Sequence, residues 1–201
     1  MQDRRMLIPI ISAVVLVGVC AWRIAANRTQ DYSAQVAAAV MMRPAPGFEA
    51  RDSDNHLVRL GAFLGRHKVI VLFFDGEAGR DKDPRTAGAD QDRELMRLRE
   101  RFPELQAHGV KAVAVSGTLP QVNRAAIKRV GPFPFPLVSD IDPLTPNEVF
   151  RIHRQYGRVD PQSGTLRTGV FLIDRKGQIQ FTVDGPRPME SVDAAIDAAL
   201  K

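Results

Sequence analysis

"VIVLFFDGEAGRDKDPRTAGAD", residues 69–90, decides how this chain is read. It opens on six apolar strand formers and breaks into a loop rich in Gly, Asp and Arg. An unbroken apolar run predicts a strand covered on both faces, since a half-exposed strand alternates apolar with polar residues. The loop then meets Asp90 and Asp92, which suit the start of a helix. In α/β proteins, the segment leaving the carboxyl end of a central strand is where ligands and chemistry gather. Yet this loop holds no Cys, His or Ser.

The elements on either side follow from pattern. Upstream, "GFEARDSDNHLVRL" (47–60) predicts two short strands about an Asp-Asn turn, and "GAFLG" (61–65) a helical turn ending on Gly65. Downstream, Leu95, Leu98, Phe102 and Leu105 recur at helical spacing and predict a helix over 89–109, bent or loosened near Pro103. "VKAVAVS" (110–116) predicts a second buried strand. A helix from Pro120 and a short, Pro-broken strand in "FPFPLVSD" (133–140) follow. "PNEVFRIHRQYG" (146–157) predicts a helix starting at Pro146 and ending at Gly157, with Tyr156 a packed ring. "TGVFLIDRKGQIQFTV" (168–183) predicts a hairpin turning at Gly177, and "MESVDAAIDAALK" (189–201) a closing amphipathic helix. Strands alternating with helices, finished by a hairpin, give an α/β fold: a sheet of about five strands with helices on both faces.

Composition narrows the function. With 201 residues, 44% hydrophobic and 25% charged, the chain is globular rather than disordered. Its net charge of +5 is mild, and acids lie among the bases, as in "DQDRE" (90–94). No one-sided basic stripe with interleaved aromatics exists, so no nucleic-acid partner is expected. Cys20 is the only cysteine, which rules out an intramolecular disulfide. His56, His67, His108 and His153 are scattered, with no two at helical ligand spacing, so neither a metal site nor a cofactor is expected.

Residues 6–22, "MLIPIISAVVLVGVCAW", carry no charge. Seventeen residues are at the short end for a membrane span. Arg4 and Arg5 precede them and Arg23 follows. The expectation is an uncleaved signal anchor, with residues 1–5 in the cytoplasm and the remainder on the extracytoplasmic side. A cleaved signal peptide, cut near Ala25 and Ala26 and releasing a secreted domain, is the alternative. Cys20 then reads as one more apolar residue of the span, inert as a thiol in lipid. Residues 23–42 are a linker with a helix-forming stretch, "YSAQVAAAVMM" (32–42), stopped by "RPAPG" (43–47). The folded domain is 43–201.

Five stretches in order carry a resemblance. They are "RPAPGFEARDSDNHLVRLGAFLGRHKVIVLFF" (43–74), "GVKAVAVSG" (109–117), "FPFPLVSDIDP" (133–143), "QYGRV" (155–159) and "TGVFLIDRKGQIQF" (168–181). Together they resemble the peroxiredoxin-type thioredoxin fold of the alkyl hydroperoxide reductase / thiol-specific antioxidant family. The resemblance implies a mixed central sheet and antioxidant or oxidoreductase activity. It also implies a reactive thiolate in a Thr-x-x-Cys sequence at the first turn of the helix after the central strand. There the helix dipole and a nearby Arg would hold the anion. Here Thr86 occupies the Thr position and Ala89 the place of the sulfur, while Arg167 lies one residue from the register of the family's Arg. The expected site is therefore a degenerate one: Thr86, Ala89 and Arg167, with no reactive atom.

Three readings follow. One is a membrane-tethered, catalytically silent domain whose loop over residues 75–90 meets a protein partner. A second is an antioxidant oxidoreductase that borrows a partner's thiol or uses Asp75, Asp90 and Arg167 in another reaction. The third is an accessory subunit of a membrane complex. The plainer readings of single residues stand beside these. Thr86 is a helix cap, Asp90 and Asp92 complement a helix dipole, Arg167 pairs on the surface, and Asp75 is a solvated loop carboxylate.

Overall fold

The computed structural model describes residues 43–77, 88–141, 149–183 and 188–201. The expected membrane span at 6–22 and its linker lie outside the described residues. Among the described residues no helix is long and apolar enough to cross a membrane.

Strand β3 (Val69–Phe74) is the axis of the molecule, and all six of its residues are buried. The five-stranded sheet has the order β5-β4-β3-β6-β7. Strands β4 (Lys111–Ser116) and β5 (Leu137–Ser139) extend it in parallel on one side. On the other side β6 (Gly169–Ile173) and β7 (Ile179–Val183) form the antiparallel hairpin. Gly177, at φ 80°, supplies the turn's left-handed residue, and its N–H donates to the Asp174 carbonyl at 3.0 Å. The mixed sheet and its hairpin are those the sequence predicts.

The period of two divides β3 between two cores. Ile70, Leu72 and Phe74 face a cluster built from α1 (Arg93–Ala107), α2 (Pro120–Val130) and α4 (Pro188–Ala199). The predicted stripe of Leu95, Leu98, Phe102 and Leu105 is the contact face of α1, and helix runs on through Pro103 to Ala107. Val69, Val71 and Phe73 face the opposite cluster. Phe48, Val58 and Leu60 enter it from around the outlying hairpin β1 (Glu49–Arg51) and β2 (Leu57–Arg59), and Ile152 and Tyr156 from α3 (Arg151–Gln155) and the residue ending it. Each fully buried aliphatic side chain contributes about 1.5–3 kcal/mol relative to exposure, so the sheet is held from both sides.

One helix differs from expectation. Helix α3 begins at Arg151, not Pro146, which lies outside the described residues. Phe150 precedes it in the left-handed region at φ 60°, so the helix does not extend back through it. The start is fixed from outside: the Asp140 carboxylate accepts the N–H groups of Ile152 (2.9 Å) and His153 (2.7 Å). Tyr156, expected as a packed ring at the helix end, is fully buried and donates its hydroxyl to the Pro46 carbonyl at 2.9 Å.

The segment entering the domain crosses the sheet from rim to rim. Near β7, Ile179 N–H donates to Arg43 O at 2.9 Å and Ala45 N–H to Gly177 O at 2.8 Å. At β5, Asp52 bridges Val138, and Ser53 N–H donates to Leu137 O at 3.1 Å.

Candidate functional site

Strands β3 and β4 are parallel and β6 runs against them, so two carboxyl ends and one amino end share an edge. A cavity of about 810 Å³ opens there. Its described walls are Phe74 to Glu77 after β3, Gly117 and Thr118 after β4, Phe150 and His153 at α3, Arg158, and residues 165–168 before β6. Gly117 permits the closure: a Cβ there would lie 2.0 Å from Leu166 Cδ1. The end of β4 is set by a buried polar network. Asn123 of α2 donates to Ser116 Oγ at 2.9 Å and to Ser139 Oγ at 3.3 Å, and Ser116 and Thr118 hydroxyls meet at 3.0 Å.

The described residues leading into α1, from 88 on, are tied to the core and to neighbouring elements. Ala89 opens a short 3₁₀ turn (Ala89–Gln91) and is fully buried in the cluster shared with α1 and α2. Asp90 is gripped by Arg129 through Nε at 2.9 Å. Burial opposes ionisation there, but that guanidinium prevails and holds the carboxyl below its usual range. Asp92 caps α1 by accepting Leu95 N–H at 2.9 Å. Its other oxygen accepts Asp75 N–H at 2.8 Å, tying the helix to the end of β3. Burial pushes the Asp92 carboxyl up despite these bonds. Glu94 is buried with Oε2 unpartnered, and burial first, then the charge of Asp92, raises it to about 8. A buried carboxyl without a hydrogen-bond donor favours its neutral form.

Two of the three degenerate-site candidates fall among the described residues. Thr86 lies outside the described residues. Ala89 faces the core, whereas Arg167 lines the cavity. Arg167 is largely exposed, its side chain 55% accessible, and it pairs with Asp160, as the plainer reading expects. Asp160 is held low by the N–H groups of Ser163 and Gln162 and then by Arg167. Asp75 lines the cavity rim in an exposed position.

Sequence reasoning missed the buried groups of this cavity. His153 is 1% exposed, and its Nδ1 meets Asp140 Oδ2 at 2.7 Å. The ring stands edge-on to Phe73 at a centroid separation of 4.9 Å. Arg158, 8% exposed, donates through Nη1 to Thr168 O at 3.3 Å, and its guanidinium stacks over Phe171 at 5.5 Å. The one available signal was Asp140 at a strand end followed by an isolated His in a helix, thirteen positions further on, a separation that periodicity does not connect. Among the described residues no group of three or more His, Cys, Asp or Glu side chains is placed to hold a metal ion.

The AhpC/TSA family model matches residues 41–182. The chain is 31% identical over 137 residues to alkyl hydroperoxide reductase E of Mycobacterium tuberculosis, covering 68% of this chain and 80% of that protein. A second relative, peroxiredoxin 2 of Thermoplasma acidophilum, is 29% identical over 98 residues, 46% of each chain. Among solved structures, peroxidoxin BcpB of M. tuberculosis superposes with a TM-score of 0.59 at 21% identity, covering 80% of this chain and 93% of that one. Thioredoxin peroxidase I of Plasmodium yoelii gives 0.60 at 21% identity, covering 79% and 88%. At such identities the structural matches establish the thioredoxin-like fold alone.

Proposed function

The chain belongs to the AhpC/TSA family, and from that premise we propose that it is a peroxiredoxin-type domain without its own reactive thiol, serving as a binding or accessory module. One observation carries this. The only cysteine is Cys20, outside the domain at 43–201, and the residue that the resemblance sets in place of the family's sulfur, Ala89, is buried in the core. Two-electron peroxide reduction needs a nucleophile that attacks one peroxide oxygen, and hydroxyls and carboxylates of ordinary basicity are poor substitutes for thiolate. The apolar segment 6–22 and its flanking Arg4 and Arg5 support a single-pass anchor, with the domain on the extracytoplasmic face. A protein partner at the 75–90 loop fits the same reading.

The test is peroxide consumption by the full chain in detergent micelles, with and without an added dithiol. Turnover no faster than a heat-denatured control is expected. Turnover that depends on an added thiol would replace this reading with the antioxidant one, in which the thiol comes from a partner. That second reading is favoured by kinship with alkyl hydroperoxide reductase E and by the open cavity at the sheet's edge.

A further inference from the structure

We propose that the cavity beside His153 binds a small organic carboxylate, its acid group on His153 Nε2 and its carbon chain along Phe74, Phe150 and Leu166. The inference rests on the reading of the domain as a binding module and names its ligand class.

The imidazole is built as a presented group. Asp140 accepts three hydrogen bonds: Ile152 N–H at 2.9 Å, His153 N–H at 2.7 Å and His153 Nδ1 at 2.7 Å. A carboxylate used this way fixes Nδ1 as the donor, so Nε2 is the nitrogen offered elsewhere. His153 lines the cavity, and among the described residues Nε2 makes no hydrogen bond. A nitrogen on a ring that is 1% exposed, facing a cavity with no protein partner, is a site for a ligand atom.

The surrounding groups bear on the ligand's class. Arg158 follows α3, its backbone N–H donating to His153 O at 2.6 Å, and its side chain is buried on the same cavity wall. The cavity's carboxylates, Asp75 and Glu77, are exposed at the rim, and Asp75 Oδ1 accepts Glu77 N–H at 3.0 Å. Arg167, also at the rim, is paired with Asp160. Arg158 brings one buried cation to the wall, and the buried Asp140 carboxylate behind the imidazole favours a ligand that shares a proton with Nε2. A carboxylic acid suits the floor whichever partner carries the proton, because the proton lies between the acid oxygen and Nε2. Phe74, Phe150 and Leu166 then favour an apolar tail over a bare inorganic anion. The cavity falls within the size range of small-molecule sites, about 300–1,000 Å³.

The test is calorimetric titration of the full chain in micelles with hexanoate, 1-hexanol and inorganic phosphate, each corrected with protein-free micelles. It is paired with ¹⁵N spectra of histidine-labelled protein, in which the His153 signals are assigned by their loss in His153→Gln. Hexanoate binding about tenfold or more tighter than hexanol is expected, as one charge-assisted hydrogen bond supplies. The Nε2 resonance of His153 moves with saturation, and His153→Gln loses that tenfold advantage while melting as a folded domain. Should His153→Gln fail to fold, Arg158→Met gives the assignment-free comparison and is expected to weaken hexanoate by a similar factor. Equal affinity for hexanol, tighter binding of phosphate, saturation that leaves Nε2 unmoved, or no binding would each overturn the proposal. A null titration together with absent peroxide turnover removes the ligand and leaves the thiol-free domain standing.

Discussion

Two aspartates start helices in this molecule, and they use their oxygens differently. Asp92 gives both to backbone: Leu95 N–H within α1 and Asp75 N–H at the end of β3. Asp140 accepts two N–H groups of α3 and also an imidazole. The first arrangement ties the start of α1 to the end of β3, beside Ala89 in the core. The second orients a basic ring toward a cavity. Positioning by a buried carboxylate is thus common to both regions. What differs is whether a reactive side chain stands beside it.

Four measurements break or sharpen that contrast. The largest effect is expected for Asp140→Ala, which strips two N–H groups and strands a buried histidine. Loss of about 3–5 kcal/mol in denaturant unfolding is expected. A loss under about 1 kcal/mol would mean that His153 is not held by this carboxylate.

Glu94→Gln comes second and is read in pH. The folded carboxyl titrates at about 8, above its ordinary 4.5. The native state therefore binds more protons than the unfolded chain between those values. Stability from this group is complete below about 4.5 and drains away as pH rises through about 8. Thermal melts of the natural chain should fall by roughly 5–10 °C across that window beyond those of the Gln variant. Parallel melting curves would show that Glu94 is not the titrating group. Asp92, also raised by burial, drains stability in the same direction as pH rises.

Asp92→Ala removes a cap and the tie to Asp75 while leaving no charge buried, so about 1–2 kcal/mol is expected. If it equals Asp140→Ala, the imidazole adds nothing and the two regions are alike. Smallest is Arg167→Met. Its ion pair with Asp160 is largely solvated, and a change within about 0.5 kcal/mol is expected.

The fold was legible because its signals are local. Six buried residues of β3 are six consecutive apolar letters, and the contact face of α1 is written at helical spacing. The start of α3 was misplaced because Pro146 is a local signal, while Asp140, which sets the true start, acts across a connection whose length no periodicity encodes. The same reason hid His153 and Arg158: what makes them a site is burial at the meeting of three strands, a property of the assembled sheet. Family resemblance directed attention to Thr86, Ala89 and Arg167, and it exposed the missing sulfur. It was silent on a histidine outside the motifs that carried it.

The strap formed by residues 43–53 has a consequence for company. An open sheet invites a neighbour's strand onto its rims, and here the same short length of chain occupies part of both, at β7 and at β5. Such a guard limits edge-to-edge pairing between copies of the domain. Clipping the strap would unlock both borders together, and a self-sufficient sheet would begin to recruit.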